Sequence, residues 1–255
     1  MADVFEEVEE QLRTERYKAL ALRALPWAAG AFAVAIAIAL AVWALDNYRA
    51  KTSAQASQAY AQALEAFEQG RASEADSLWT EISKSPSKVY KSLSLQHLGG
   101  LRLTAGDVPA AVKLFDASAA AAPDPLIGDA ARLKAVYALL DTTSLKDIQA
   151  RLDPLLKEGR PYRAEAREAL AFAKLMAGDA AGARGDFVVI SLVADAQQGA
   201  RERAQAAIAL IDSGSAKLVP AVVKSALALP PPVQLVPTDP PAGFAPGQPI
   251  VPNAQ

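Results

Sequence analysis

The longest uniform feature of the hydrophobic pattern is an apolar stretch near the N-terminus. From Ala24 to Leu45, 22 consecutive residues carry no charge, and about 20 helical residues cross a bilayer core. Trp27 and Trp43 lie near the two ends of the stretch, where amphipathic rings favour the membrane interface. Residues 31–42 alternate with a period of two and fit a buried strand, but the stretch is too long and has no apolar partner strand elsewhere. The pattern predicts a transmembrane helix at 24–45, with both tryptophans at the interfaces.

Basic residues on the two sides of this stretch predict its orientation. The 20 residues before it carry four lysines and arginines, whereas the 20 residues after it carry two. By the positive-inside rule, segment 1–23 is cytoplasmic and the C-terminal part of the chain lies on the outer side of the membrane. A 23-residue charged segment before a long apolar run does not fit a cleaved signal peptide, so we expect an uncleaved signal anchor.

Beyond the apolar stretch, glycines recur at a fixed period. Gly70, Gly106, Gly178 and Gly214 are separated by 36, 72 and 36 residues, and the missing position falls at Thr142 in a turn-like DTTS segment. A period in the mid-thirties is typical of a helical repeat array.

The period also contains alternating small and large residues. Seven residues before each turn position all residues are small: Ala63, Gly99, Ala135, Ala171 and Ala207. Nine residues after it a large ring occurs in three repeats: Trp79, Phe115 and Phe187. Small residues allow two helices to approach closely, and a ring on the second helix fills the space beside them. The third repeat fits this scheme only if its turn is one residue longer, which places Ile148 and Leu152 in the core.

These positions predict an all-α fold in which the anchor continues into a helical domain at 46–229. The expected helices lie at about 53–69, 73–84, 88–105, 108–121, 126–140, 145–157, 161–177, 180–194, 197–212 and 217–228. Residues 230–255 hold nine of the 17 prolines and almost no charge, so we expect an extended, disordered proline-rich tail.

Composition narrows the possible chemistry. The chain has 255 residues, is 52% hydrophobic, carries a net charge of −2, and contains no cysteine and one histidine, His97. This excludes disulfide scaffolds and thiol chemistry, and the balanced charge argues against nucleic-acid binding. No phosphate loop or hydrolase motif is present. We therefore expect no enzyme activity, catalytic residue, cofactor, metal or small-molecule substrate, with His97 a packing or surface residue and Glu165 and Glu168 solvated on an exposed helix face.

The repeat pattern resembles the tetratricopeptide repeat. The best match is LQHLGGLRLTAGDVPAAVKLFDASAAAAP at residues 95–123, followed by LAFAKLMAGDAAGARGDFVVI at 170–190. This resemblance implies a solenoid whose first helices line a concave face suited to protein binding. The candidate binding residues on that face are Tyr60, Leu64, Gln96, Arg132, Val136, Glu168 and Phe172; the alternative is that they only face solvent or pack between repeats.

The combination of anchor and repeats resembles a known family. The start DVFEEVEEQLRTERYKALALRALPW, the apolar stretch, and YAQALEAFEQGRASEADSLW are similar to the ancillary SecYEG translocon subunit family, the YfgM-like group of bacterial inner-membrane proteins. The resemblance implies a single-pass inner-membrane protein whose periplasmic domain contacts the SecYEG translocon, periplasmic folding factors and emerging exported proteins. The alternative is a helical-repeat scaffold for another envelope assembly, such as cytochrome c maturation or cell-wall assembly.

Overall fold

The fold is helical throughout the part of the chain that can be described. The computed structural model describes residues 3–193 and 196–228, and every regular element in these ranges is a helix. The predicted all-α class is therefore confirmed. The predicted proline-rich tail at 230–255 lies outside the described residues.

The first helix, α1, extends from Asp3 to Glu68 without a break. This confirms that the apolar stretch continues into the first helix of the C-terminal domain. The part of α1 from Gly30 to Glu68 is the one helix within the described ranges that is long and apolar enough to cross a membrane. All residues from 30 to 50 are exposed, and a large exposed apolar surface of this kind is stable only against lipid or another protein. One candidate membrane span therefore precedes the helical domain.

Within residues 3–193 and 196–228, the domain is formed by the end of α1 and nine further α-helices, which pack mainly on their neighbours in the chain. The first helices of successive pairs also contact one another: α1 with α3, α3 with α5, α5 with α7, and α7 with α9. These first helices thus form one continuous layer. The helices are α2 Ala72–Ile82, α3 Lys88–Thr104, α4 Val108–Ala121, α5 Pro125–Leu139, α6 Leu145–Leu152, α7 Arg163–Met176, α8 Ala180–Leu192, α9 Gln198–Asp212 and, after a 3₁₀ turn at Ser215–Leu218, α10 Val219–Leu227.

The periodic glycines end helices, as their spacing predicts. Gly106 has a φ of +80°, which other residues rarely adopt. Its N–H donates to the carbonyl of Leu103, and the N–H of Asp107 donates to Arg102, which together close the end of α3. The side chain of Asp107 then accepts from the N–H of Ala110 and caps α4. A Gly-Asp pair therefore ends one helix and begins the next, and Gly178 with Asp179 repeats this turn.

The small and large positions of the period meet in the core, as predicted. A Cβ added to Gly99 would lie 2.6 Å from the ring of Phe115, so only glycine allows this contact between α3 and α4. Phe115 is itself buried, as are the rings of Trp79 and Phe187 in the other repeats. The four alanines at the position of Gly99 are also buried: Ala63, Ala135, Ala171 and Ala207.

The third repeat departs from the others in two ways. Ile148 and Leu152 are fully buried, which confirms the predicted shift in register. The prediction of a helix to residue 157 is wrong, because α6 ends at Leu152 and residues 153–162 form turns. Pro154 explains the early end: Asp153 is still helical, but a proline has no N–H to donate to the carbonyl four residues earlier, so the helical hydrogen bonds stop there. Leu155 still reaches the core from these turns and is fully buried.

Candidate interaction surface

The structure divides the seven predicted binding residues into two groups. Gln96, Val136 and Glu168 are buried within the domain, so the prediction that they line an accessible binding face is corrected. Val136 lies on the side of α5 that faces the core, because a fixed offset from the turn position does not specify the rotation of the helix. The remaining four are partly accessible: Tyr60, Leu64, Arg132 and Phe172.

Glu168 is the clearest departure from the sequence prediction. Its side chain is only 5% exposed, and it accepts two hydrogen bonds from Arg203 at 2.7 and 2.8 Å. A buried carboxylate requires such a partner, and the two-point geometry of arginine supplies it. The expectation that Glu165 and Glu168 are both solvated on an exposed face is therefore wrong for Glu168, which instead joins α7 to α9.

An aromatic cluster lies where α1, α2 and α3 meet. His97 stacks on Trp79 with ring centroids 4.4 Å apart, and its Nε2 atom lies 2.7 Å from the hydroxyl oxygen of Tyr60. The ring of Tyr90 lies 5.6 Å from that of Tyr60. Burial and the nearby charge of Lys134 lower the pKa of His97, and burial raises the pKa of Tyr60. Of the two predicted roles of His97, packing or surface residue, the stacking on Trp79 supports the first.

Tyr137, which the sequence analysis missed, is a further accessible ring on the layer of first helices. It lies one turn after Lys134 on α5 and is 47% exposed. Burial of its hydroxyl, together with the charges of Glu168 and Glu165, raises the pKa of Tyr137 to about 12. It occupies the position after the buried Val136, so a helical-wheel projection of α5 could have identified it. We call Tyr60, Tyr90, His97 and Tyr137 the aromatic face.

Other charged groups inside the domain stabilise its packing. Asp129 is fully buried and pairs with both Arg132 and Arg160, which ties the turns at 153–162 to α5. Asp186 on α8 pairs in the same way with two cations of α7, Arg167 and Lys174. Among the described residues, no group of three or more acidic or histidine side chains is arranged to hold a metal ion. These carboxylates are neutralised by the protein itself.

The predicted interface residues of the anchor are both solvent-accessible in the isolated chain. Trp27 is 83% exposed and Trp43 is 67% exposed. They are separated along α1 by about 24 Å at 1.5 Å per residue, which is close to the roughly 30 Å thickness of a hydrocarbon core. Their spacing therefore fits rings placed near the two boundaries of a bilayer.

Fold and surface together define a class: an all-helical protein in which one candidate membrane span continues, within a single helix, into a domain of packed helices. Its most distinctive accessible surface is the aromatic face. Comparisons with protein-family models, with curated proteins and with solved structures found no match to this chain.

Proposed function

We propose that this chain is a single-pass membrane protein whose helical domain binds other proteins through the aromatic face. The observation that carries the proposal is the unbroken helix α1, which joins the candidate span to the first helix of that face. A domain attached in this way has a fixed position relative to the membrane. Its local concentration near other membrane proteins is high, so weak contacts are sufficient for binding.

The composition of the face supports protein rather than small-molecule recognition. Tyrosine rings combine a large apolar area with a hydroxyl group and few rotatable bonds, and they are enriched where proteins bind. Phe172 and Arg132 are further accessible residues on the same layer of first helices. Charges of both signs act on the face: Lys134 lies near enough to His97 to help lower its pKa, and Glu165 helps raise the pKa of Tyr137.

The proposal also specifies the membrane, the orientation of the chain and its protein partners. We propose a bacterial inner-membrane protein with a cytoplasmic N-terminus, a periplasmic helical domain of tetratricopeptide type, and contacts to the SecYEG translocon, periplasmic folding factors and emerging exported proteins. This part is supported by the basic flank before the apolar stretch and by the sequence resemblance described above.

Site-specific photocrosslinking tests the partner. A photoreactive phenylalanine analogue replaces Tyr137 or Tyr90 in the full chain in cells, and Lys113 on α4 serves as an exposed control outside the face. We expect translocon subunits or exported chains to be captured from the two tyrosine positions and not from Lys113. Capture of cytochrome c maturation or cell-wall assembly proteins would favour the alternative scaffold, and equal capture from all three positions would refute binding through this face.

Cysteine labelling tests the topology. The natural chain contains no cysteine, so a single cysteine is the only thiol to be labelled. We expect Thr142→Cys to react with a membrane-impermeant maleimide in intact cells stripped of their outer membrane. Reaction only after the inner membrane is opened would show that the predicted orientation is reversed.

A further inference from the structure

A group of cations lies beside the candidate span, on a segment that also carries Tyr90 and His97 of the aromatic face, but the cations themselves are not part of that face. Residues 82–106 contain no aspartate or glutamate but include Lys84, Lys88 and Lys91. Lys84 and Lys88 are exposed, and Lys91 is partly exposed. The neighbouring part of α1 adds Arg49 and a further cation, Lys51.

The fold brings this segment against α1 just beyond the apolar stretch. Tyr48, Arg49 and Thr52 of α1 line a groove of about 440 Å³ together with Pro86 of the loop between α2 and α3 and Lys88, the first residue of α3. Tyr48 and Thr52 follow Leu45 by three and seven residues, which at 1.5 Å per residue is about 4 to 10 Å along the helix. The headgroup layer is roughly 5 to 8 Å thick on each side of a bilayer core. The near end of the groove therefore lies at headgroup level when the apolar stretch is inserted, and its far end lies about 3 to 5 Å beyond the headgroup layer.

The acidic residues nearby do not neutralise this surface. Glu81 pairs with Lys84 at 2.9 Å, but both side chains are mostly exposed. Asp46 approaches Arg49 only to 3.9 Å, again in an exposed pair. Exposed pairs of this kind are weak, so both cations remain able to bind other anions. Among the described residues, neither Lys88 nor Lys91 takes part in an ion pair.

We propose that Arg49, Lys84, Lys88 and Lys91, here called the cationic rim, bind the phosphates of anionic phospholipids in the leaflet where α1 leaves the membrane. Each lysine or arginine near an anionic bilayer surface favours contact by roughly five-fold. Contact at the rim, added to the continuous helix α1, fixes the tilt of the domain and hence the direction in which the aromatic face points. The inference rests on insertion of α1, which is part of the proposed function, but not on the identity of any protein partner.

Fluorescence quenching in nanodiscs tests the rim. The full chain carrying Ser87→Cys, labelled with a fluorophore, is reconstituted with a quencher attached to lipid headgroups, in bilayers of phosphatidylglycerol with phosphatidylcholine or of phosphatidylcholine alone. We expect strong quenching in the anionic bilayer, weaker quenching in the neutral one, and relief by high salt because exposed charges are screened. The same fluorophore at Thr142→Cys, in the turn of the third repeat, is expected to remain unquenched.

Charge reversal provides the decisive comparison. We expect K84E/K88E/K91E to lower quenching at position 87 by at least roughly half. The matched control K113E/K146E/K157E makes the same change in net charge at exposed sites away from the rim, and we expect it to leave quenching unchanged. Equal quenching in the two triple variants, or no dependence on lipid charge, would overturn the proposal.

A separate readout distinguishes failure of the rim from failure of the anchor. Lipids brominated in their acyl chains quench tryptophans that lie in the bilayer, and Trp43 supplies this signal by comparison with Trp43→Phe. Quenching of Trp43 without quenching at position 87 refutes only the cationic rim. Loss of both signals refutes insertion of α1 and with it the membrane part of the proposed function.

Discussion

Two adjacent glycines of α3 allow the packing of the domain to be tested with a matched pair of variants. Gly99 and Gly100 lie in the interior of the same helix. A Cβ at Gly99 would lie 2.6 and 2.8 Å from the Cε1 and Cδ1 atoms of Phe115, whereas a Cβ at Gly100 meets nothing within 4 Å. Ordinary carbon contacts are about 3.5 to 4.0 Å. The two substitutions therefore share the same change in helix propensity and differ in packing.

The expected free energies of unfolding follow from these distances. Gly100→Ala stabilises the domain by about 0.5 to 1 kcal/mol, because alanine loses less backbone entropy in a helix. Gly99→Ala gains the same amount but also overpacks a buried contact, which costs about 1 to 3 kcal/mol. Since helix propensity cancels in the comparison, Gly99→Ala is expected to be less stable than Gly100→Ala by about 1 to 3 kcal/mol.

Urea unfolding of the full chain in mild detergent, followed by circular dichroism at 222 nm, measures this difference. The melting temperature offers a second readout, at about 2 to 4 °C per kcal/mol for a domain of this size. In a Phe115→Leu background, which removes part of the ring, we expect Gly99→Ala to lose most of its penalty. If Gly99→Ala is as stable as Gly100→Ala in the natural background, the close packing of α3 on α4 is refuted.

Three further predictions address the buried ion pair, the histidine and the turns. Arg203→Ala leaves the Glu168 carboxylate buried without a partner and should lower the free energy of unfolding by about 1 to 3 kcal/mol. Glu168→Gln should cost less, because it leaves an arginine that is 58% exposed and can rehydrate. Equal losses of stability for the two variants in urea unfolding would contradict this account. Because the folded pKa of His97 is lowered, the unfolded state takes up its proton first as the pH falls below about 6.5, so stability should decrease there. His97 is the only histidine, and an NMR titration of its ring that gives the same pKa in the folded chain as in concentrated urea would refute the effect. Gly106→Ala forces alanine to a φ of +80° and should lower the stability of the domain by about 1 to 2 kcal/mol. Gly185→Ala, at an open position in the interior of α8, should raise the stability instead. Thermal unfolding measures both changes, and an unchanged melting temperature for Gly106→Ala would contradict the turn geometry.

The candidate surface could be predicted from the sequence only in part, because the period gives a residue's place along a helix but not the direction in which its side chain points. Tyr60 was identified from its position in the period, and it lies on the aromatic face. Tyr137 was missed and the buried Val136 was chosen in its place, because a fixed offset from the turn cannot give the rotation of α5. The pairing of Glu168 with Arg203 was also missed, since the two residues are 35 positions apart and meet only when α9 packs on α7.

The sequence by itself determined the helices, their ends and the candidate span. These features depend on interactions within a few residues: glycine at the end of a helix, aspartate at the start of the next, and a charge-free stretch of sufficient length. The early end of α6 also has a local cause, because Pro154 lacks the N–H that would continue the helix. Tertiary structure decided which polar residues are buried, which aromatic rings remain accessible, and which lysines lie beside the end of the span. Those properties depend on how helices far apart in the chain are rotated and how closely they approach. A charged side chain, in particular, can be buried only where the packing of another helix brings a partner to it.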